Sequence, residues 1–90
     1  MTNELFHLSV VTGDATVLDT EVLAVKLPTS FGSVGILARH APMLCAVSRG
    51  ELRCTLPDGT GVRVRGSEGV ACVDNNELTL LCADAAVAEE

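Results

Sequence analysis

His40 stands five residues ahead of Cys45, and no other pairing in the chain so readily suggests an activated thiolate nucleophile. The residue types fit that chemistry, but their placement does not. Cys45 lies in the apolar run Met43–Val47, which reads as a core strand, whereas His40 lies in a loop. Gly32-Ser33-Val34-Gly35 has the outline of a nucleophile turn, yet no helical pattern follows it. There is no glycine-rich phosphate loop ending in Lys-Ser/Thr and no dinucleotide fingerprint. The four cysteines, at 45, 54, 72 and 82, form no C-x-x-C pair, and neither His7 nor His40 has ligand-like spacing to one, so no metal is expected. Their apolar neighbours point to reduced core cysteines. The acidic pairs Asp19/Glu21 and Glu89/Glu90 read as solvated surface. His40, in Arg39-His40-Ala41-Pro42, has two readings: a loop histidine bonded to nearby backbone, or a polar contact at a protein interface. His7 alternates outward and reads as merely solvated.

The composition narrows the function classes further. Ninety residues make one domain. Six basic against twelve acidic side chains leave a net charge of −6, which disfavours nucleic acid and docking on anionic lipid. With 48% hydrophobic and 20% charged residues the chain is expected to fold. No apolar run approaches the roughly 20 residues of a membrane span, so no membrane insertion is expected. The opening Met1-Thr2-Asn3-Glu4 lacks a secretory pattern. Phe6 and Phe31 are the only aromatics, so no stacking platform for bases or sugars is available.

What must position any functional residue is a set of strands. Phe6–Thr12 alternates with period two, placing Phe6, Leu8 and Val10 on one face. Ala15–Leu18 reads as a short strand ended by Asp19, and Val22–Leu27 as one stopped by Pro28. Thr29–Ser33 and Ala38–Pro42 read as loops around Gly35-Ile36-Leu37. Pro57-Asp58-Gly59, Gly66–Gly69 and Asp74-Asn75-Asn76 are turns between Glu51–Leu56, Val62–Arg65, Val70–Val73 and Leu78–Cys82. Eight or nine short strands predict an all-β sandwich or flattened barrel. Only Ala83–Glu90 favours helix, with Asp84 as an N-cap. Met43–Ser48 and Glu51–Leu56 read as a hairpin about Arg49-Gly50. That register sets Cys45 opposite Cys54 in a non-hydrogen-bonded pair, Cα atoms about 4.5 Å apart, either a reducible contact or two small buried residues.

These features, taken in order, resemble the epsilon subunit of the F-type ATP synthase. Phe6–Thr12 is similar to its opening strand and Glu21–Val25 to its next. Gly32-Ser33-Val34-Gly35-Ile36-Leu37-Ala38-Arg39-His40-Ala41-Pro42-Met43-Leu44 resembles its most recognisable stretch, and Arg49-Gly50-Glu51-Leu52-Arg53 its Pro-Gly-x-x-Arg segment. Ser67–Val70 and Asn76–Leu81 resemble its closing strands.

The resemblance implies a flattened sandwich of about ten strands over residues 1–84. It implies a non-catalytic rotor subunit with an apolar face toward the gamma subunit and polar loops toward the ring of c subunits. Ser33, Arg39, His40 and Pro42 are the expected interface residues, with the Ser33 turn and His40 both looking toward the ring. It further implies a peripheral location on the cytoplasmic face of a bacterial plasma membrane. No cofactor and no small-molecule ligand are expected.

The departures are Ser33 where the family is usually acidic, Ala38 for Pro and Arg39 for Gly. A positive Arg39 is expected to meet an acidic or carbonyl-rich ring loop. The family's C-terminal helical hairpin is absent, residues 85–90 being a short tail where it would begin, so neither hairpin inhibition nor ATP binding is expected. A free-standing ligand-binding sandwich is the alternative. A rotor subunit calls for a contiguous apolar face, whereas a ligand module calls for one concave pocket with convergent polar groups.

Overall fold

The structure, a computed structural model, describes residues 4–88; Met1–Asn3 and the pair Glu89/Glu90 lie outside the described residues. Alternating side chains build ten strands: β1 (Phe6–Val11), β2 (Thr16–Val22), β3 (Ala24–Thr29), β4 (Gly32–Leu37), β5 (Met43–Val47), β6 (Gly50–Thr55), β7 (Gly61–Gly66), β8 (Gly69–Asp74), β9 (Glu77–Cys82) and β10 (Ala85–Ala88). They form two five-stranded sheets, in the orders β2-β1-β9-β8-β5 and β10-β7-β6-β3-β4. All pairings are antiparallel except β1 with β9, which run parallel at the centre of the first sheet. The fold is the expected all-β sandwich, with no helix among the described residues.

Phe6, Leu8, Val10, Leu78 and Leu80 of the first sheet meet Val25, Leu27, Ile36, Leu52 and Val64 of the second, and all are buried. With one aromatic in it, this core fills by interdigitating aliphatics, which strand alternation delivers every second residue.

Several local readings change. β2 runs through Asp19 to Val22, and the break falls at Leu23, whose N–H donates to Thr55 O at 2.7 Å and passes the chain to the other sheet. Pro28 does not stop β3, because β6 pairs β3 only over Ala24–Lys26 and leaves no ladder partner in need of the missing N–H. The Thr29–Ser33 loop is really a two-residue turn, Ser30-Phe31, with β4 starting at Gly32. β5 and β6 are not a hairpin. Their join crosses between sheets, β5 pairing β8 and β6 pairing β3 and β7, with Ser48 N–H donating to Pro28 O at 2.9 Å. Cys45 therefore lies opposite Ala71, and Cys54 opposite Val25 and Val62. All four cysteines are free, but only Cys54 and Cys82 are buried; Cys72 is exposed. Burial pushes the thiols of Cys54 and Cys82 up. The helix expected in the tail is instead β10 over Ala85–Ala88, paired to β7.

His7 is not merely solvated. On the outer face of β1 it sits opposite Glu21 of β2 and ion-pairs with both Asp19 and Glu21, its Nδ1 2.7 Å from Glu21 Oε2. The two carboxylates hold its pKa above the usual histidine value, Glu21 first, then Asp19. The folded state thus holds the proton more tightly than the unfolded chain. The stabilisation is fully present below the unfolded pKa near 6.5 and is lost as pH rises through the higher folded value. With His7 35% exposed and its partners more so, the effect should stay within about 1 kcal/mol. The urea midpoint of the native chain is expected to fall between about pH 6 and about pH 8, and His7→Gln to flatten that dependence.

Candidate protein interface

The loop Ala38–Pro42 links β4 of the second sheet to β5 of the first. The side chains of Asn76 and Glu4 hold it. Asn75 and Asn76 both take positive φ, 55° and 65°, in the two-residue turn between β8 and β9, as such turns favour. Asn76 Oδ1 accepts from Arg39 N–H at 2.8 Å, while its Nδ2 donates to Leu5 O at 3.0 Å. Arg39 itself has φ 65°, the left-handed region that favours glycine, the residue the resemblance led one to expect there. Its guanidinium Nε lies 2.9 Å from both Glu4 carboxylate oxygens. His40 Nδ1 sits 2.7 Å from Ala41 O, and its N–H donates to Leu37 O at 3.2 Å, which is the backbone-bonded reading of this histidine.

Sequence reasoning saw Asn76 only as a turn residue. Asn76→Gly keeps the left-handed turn but removes both side-chain bonds. It is expected to cost about 1–2 kcal/mol by urea unfolding and to speed hydrogen exchange of the Arg39 amide.

The structure brings Arg39, His40 and Pro42 together in this loop but leaves Ser33 apart. Ser33 is exposed beside the β3–β4 turn, where Phe31 is 98% exposed. Ser33 and Arg39 stand six residues apart along an extended strand and the start of a loop, roughly 20 Å.

Beyond Pro42 the chain enters the outer face of the first sheet. There Leu44 (73% exposed), Val70 and Leu81 (55%) project outward. Val70 pairs Leu81, Leu81 pairs Val11, Ala46 pairs Val70 and Leu44 pairs Cys72, giving a continuous uncharged patch across β5, β8, β9 and β1. Acidic residues border it along the other edge, where Asp74, Glu77 and Glu21 flank His7. Sequence reasoning expected an apolar face but did not assign these residues to it. The signal was present in Met43–Val47, Val70–Val73 and Leu80–Cys82, uninterrupted apolar runs that leave a strand apolar on both faces.

Among the described residues no group of three His, Cys, Asp or Glu side chains could hold a metal ion. An open corner of β6, β7 and β10, about 640 Å³, is lined by Arg49, Glu51, Arg65 and Asp84, whose charges are mixed rather than convergent.

The chain is thus a β-sandwich with one bare apolar face bordered by a loop pinned to the turn beside it, and an exposed apolar patch of this kind is the sort of surface that proteins bury in interfaces. The sequence profile described as "ATP synthase, Delta/Epsilon chain, beta-sandwich domain" matches residues 5–88. The chain belongs to that family. It is 40% identical over 79 residues to the chloroplastic ATP synthase epsilon chain of Piper cenocladum, covering 88% of this chain and 59% of that one. With the corresponding protein of Guillardia theta the identity is 41% over 76 residues, covering 83% and 56%. The chain thus spans about three-fifths of the length of these curated relatives. A chain in the cryo-EM structure of the Euglena gracilis mitochondrial ATP synthase, OSCP/F1/c-ring, has the same fold: TM-score 0.87, 22% identity, covering 92% of this chain and 53% of that one. A chain in the Tetrahymena thermophila mitochondrial central stalk/c-ring structure also shares it: TM-score 0.78, 13% identity, covering 94% and 68%.

Proposed function

We propose that this chain is a non-catalytic subunit of the rotating central stalk of an F-type ATP synthase, joining the gamma subunit to the c ring and passing torque between proton flow and ATP synthesis. The observation that carries this reading is the uncharged outer face formed by Leu44, Val70 and Leu81. Three large aliphatic side chains left wet on neighbouring strands favour burial against a partner, at about 25 cal/mol for each Å² covered.

The partners divide along the molecule. The apolar face, with Arg39, His40 and Pro42 at its border, meets gamma. The Ser33 tip, roughly 20 Å away, meets the ring. This divides an interface expected to bring Ser33 and His40 against the ring together. Arg39 comes to its partner already paired to Glu4, so it presents a compensated rather than a bare charge. The site of action is the peripheral surface of an energy-transducing membrane. The similar proteins are chloroplastic and mitochondrial, and lend no support to the bacterial plasma membrane expected from sequence.

The test is co-elution with gamma from the same source on a sizing column, repeated with the c ring present. A one-to-one complex is expected. Failure in both runs, with all proteins folded, overturns the reading.

A further inference from the structure

We propose that the outer face of the second sheet is a docking strip for a short acidic–apolar polypeptide segment of a partner protein. This inference does not depend on the central-stalk reading.

The chain carries six Lys and Arg residues, and Lys26, Arg53, Arg63 and Arg65 all lie on this one face. Lys26 pairs Arg53 across β3 and β6, and Arg53 pairs Arg63 across β6 and β7. Three cations therefore form a row perpendicular to the strands, about 4.8 Å apart by strand spacing. Like charges directly opposite one another destabilise a sheet. Glu51 works against this, lying 3.1 Å from Arg53, 3.4 Å from Arg63 and 3.9 Å from Arg65. It reaches the arginine end only. The Lys26 side chain, at the other end of the row, makes no ion pair or hydrogen bond among the described residues.

That end of the row opens on a cleft. Ala24, Gly35 and Leu37 line an open space of about 410 Å³ together with Lys26 and Arg53. A Cβ built at Gly35 meets nothing within 4 Å, and Leu37 is 63% exposed. The cleft can take an apolar side chain over Gly35 and against Leu37, while carboxylates beside it in the same segment reach Lys26 and Arg53.

Charge selects the partner class. The chain as a whole is at −6, so a bilayer or a nucleic acid wide enough to reach past the strip would also meet its acidic surroundings. A short segment meets only the cations and the cleft.

The test titrates the isotopically labelled full chain with a capped hexapeptide of alternating glutamate and leucine, at low and at high salt. Amide shifts are expected at Lys26, Gly35, Leu37 and Arg53, with weaker binding at high salt. Arg53→Glu, which gains opposite-charge neighbours in Lys26 and Arg63 but loses its pair with Glu51, is checked for folding by its amide spectrum and is expected to weaken binding about tenfold or more. The same peptide with glutamine for glutamate should not bind. The proposal is overturned by no binding at low salt, by shifts that map elsewhere, or by undiminished binding to folded Arg53→Glu. It is equally overturned if the chain ignores the peptide but floats with phosphatidylglycerol vesicles, which would make the strip a lipid surface.

Discussion

Leu81→Asp is expected to abolish capture of the gamma subunit while leaving the sandwich folded. Leu81 lies at the middle of the apolar patch, between Val70 on β8 and Val11 on β1, and is 55% exposed. The free domain loses little, because an outward-facing substitution usually moves stability by no more than about 0.5 kcal/mol. In the complex two losses combine. The buried leucine is forgone, about 1.5–3 kcal/mol. A carboxylate is also left without a partner in a desolvated patch, a further penalty of several kcal/mol. A total beyond about 3 kcal/mol means more than a hundredfold in Kd. Sizing-column co-elution reads it directly, with Thr60→Asp on the exposed β6–β7 turn as a charge-matched control that should still co-elute. If Leu81→Asp still binds gamma normally, the outer face of the first sheet is not the interface.

Gly69→Ala is expected to be the most destabilising of the glycine-to-alanine substitutions in this chain. A Cβ at Gly69 would fall 2.9 Å from Cys82 Cβ and closer still to the backbone oxygen of Leu81. Real Cβ atoms essentially never come so near, and the obstacle is ladder backbone rather than a flexible side chain. Gly69 pairs Cys82 across β8 and β9, so relief requires prising that ladder apart. Overpacking of this kind costs about 3 kcal/mol or more, which for a domain of this size lowers Tm by more than about 12 °C. The control is Gly61→Ala. Nothing lies within 4 Å of its Cβ position and its φ is ordinary, so a gain of about 0.4–1 kcal/mol is expected from a less flexible unfolded chain. Differential scanning calorimetry on the two variants should separate them in opposite directions.

The strands themselves were legible. Phe6, Leu8 and Val10 advertise a buried face by alternation alone, and Asn75-Asn76 a tight turn. What escaped was pairing, which is decided between residues far apart. Ser48-Arg49-Gly50 looks locally like a hairpin turn, yet it carries the chain from one sheet to the other, and no local property of Cys45 or Cys54 reveals that they lie in different sheets. The tail failed for a related reason. Alanine is the best helix former, but propensity yields readily to context, and the edge of β7 offers Ala85–Ala88 backbone ladder partners. The carboxylates around His7 stand 12 and 14 residues away in sequence and become neighbours only through the β1–β2 register. Arg39, His40 and Pro42 were legible as one loop because they are contiguous. Ser33 was grouped with them through the family resemblance, and the chain distance along β4 that separates it from Arg39 follows from the strand itself.

The parallel pairing of β1 with β9 fixes the order in which this domain can be completed. As the chain leaves the ribosome, β1 finds β2 at once through a short turn. Its other edge must wait until residues 77–81 have been made, because His7 pairs Glu77 and Val11 pairs Leu81. Until then the middle of the first sheet is an exposed strand edge, the kind that recruits stray strands. Closure over such a span makes folding slow, on the scale of milliseconds to seconds. A ribosome stalled before residue 77 would therefore release an unsealed sheet, a substrate for chaperones or proteases.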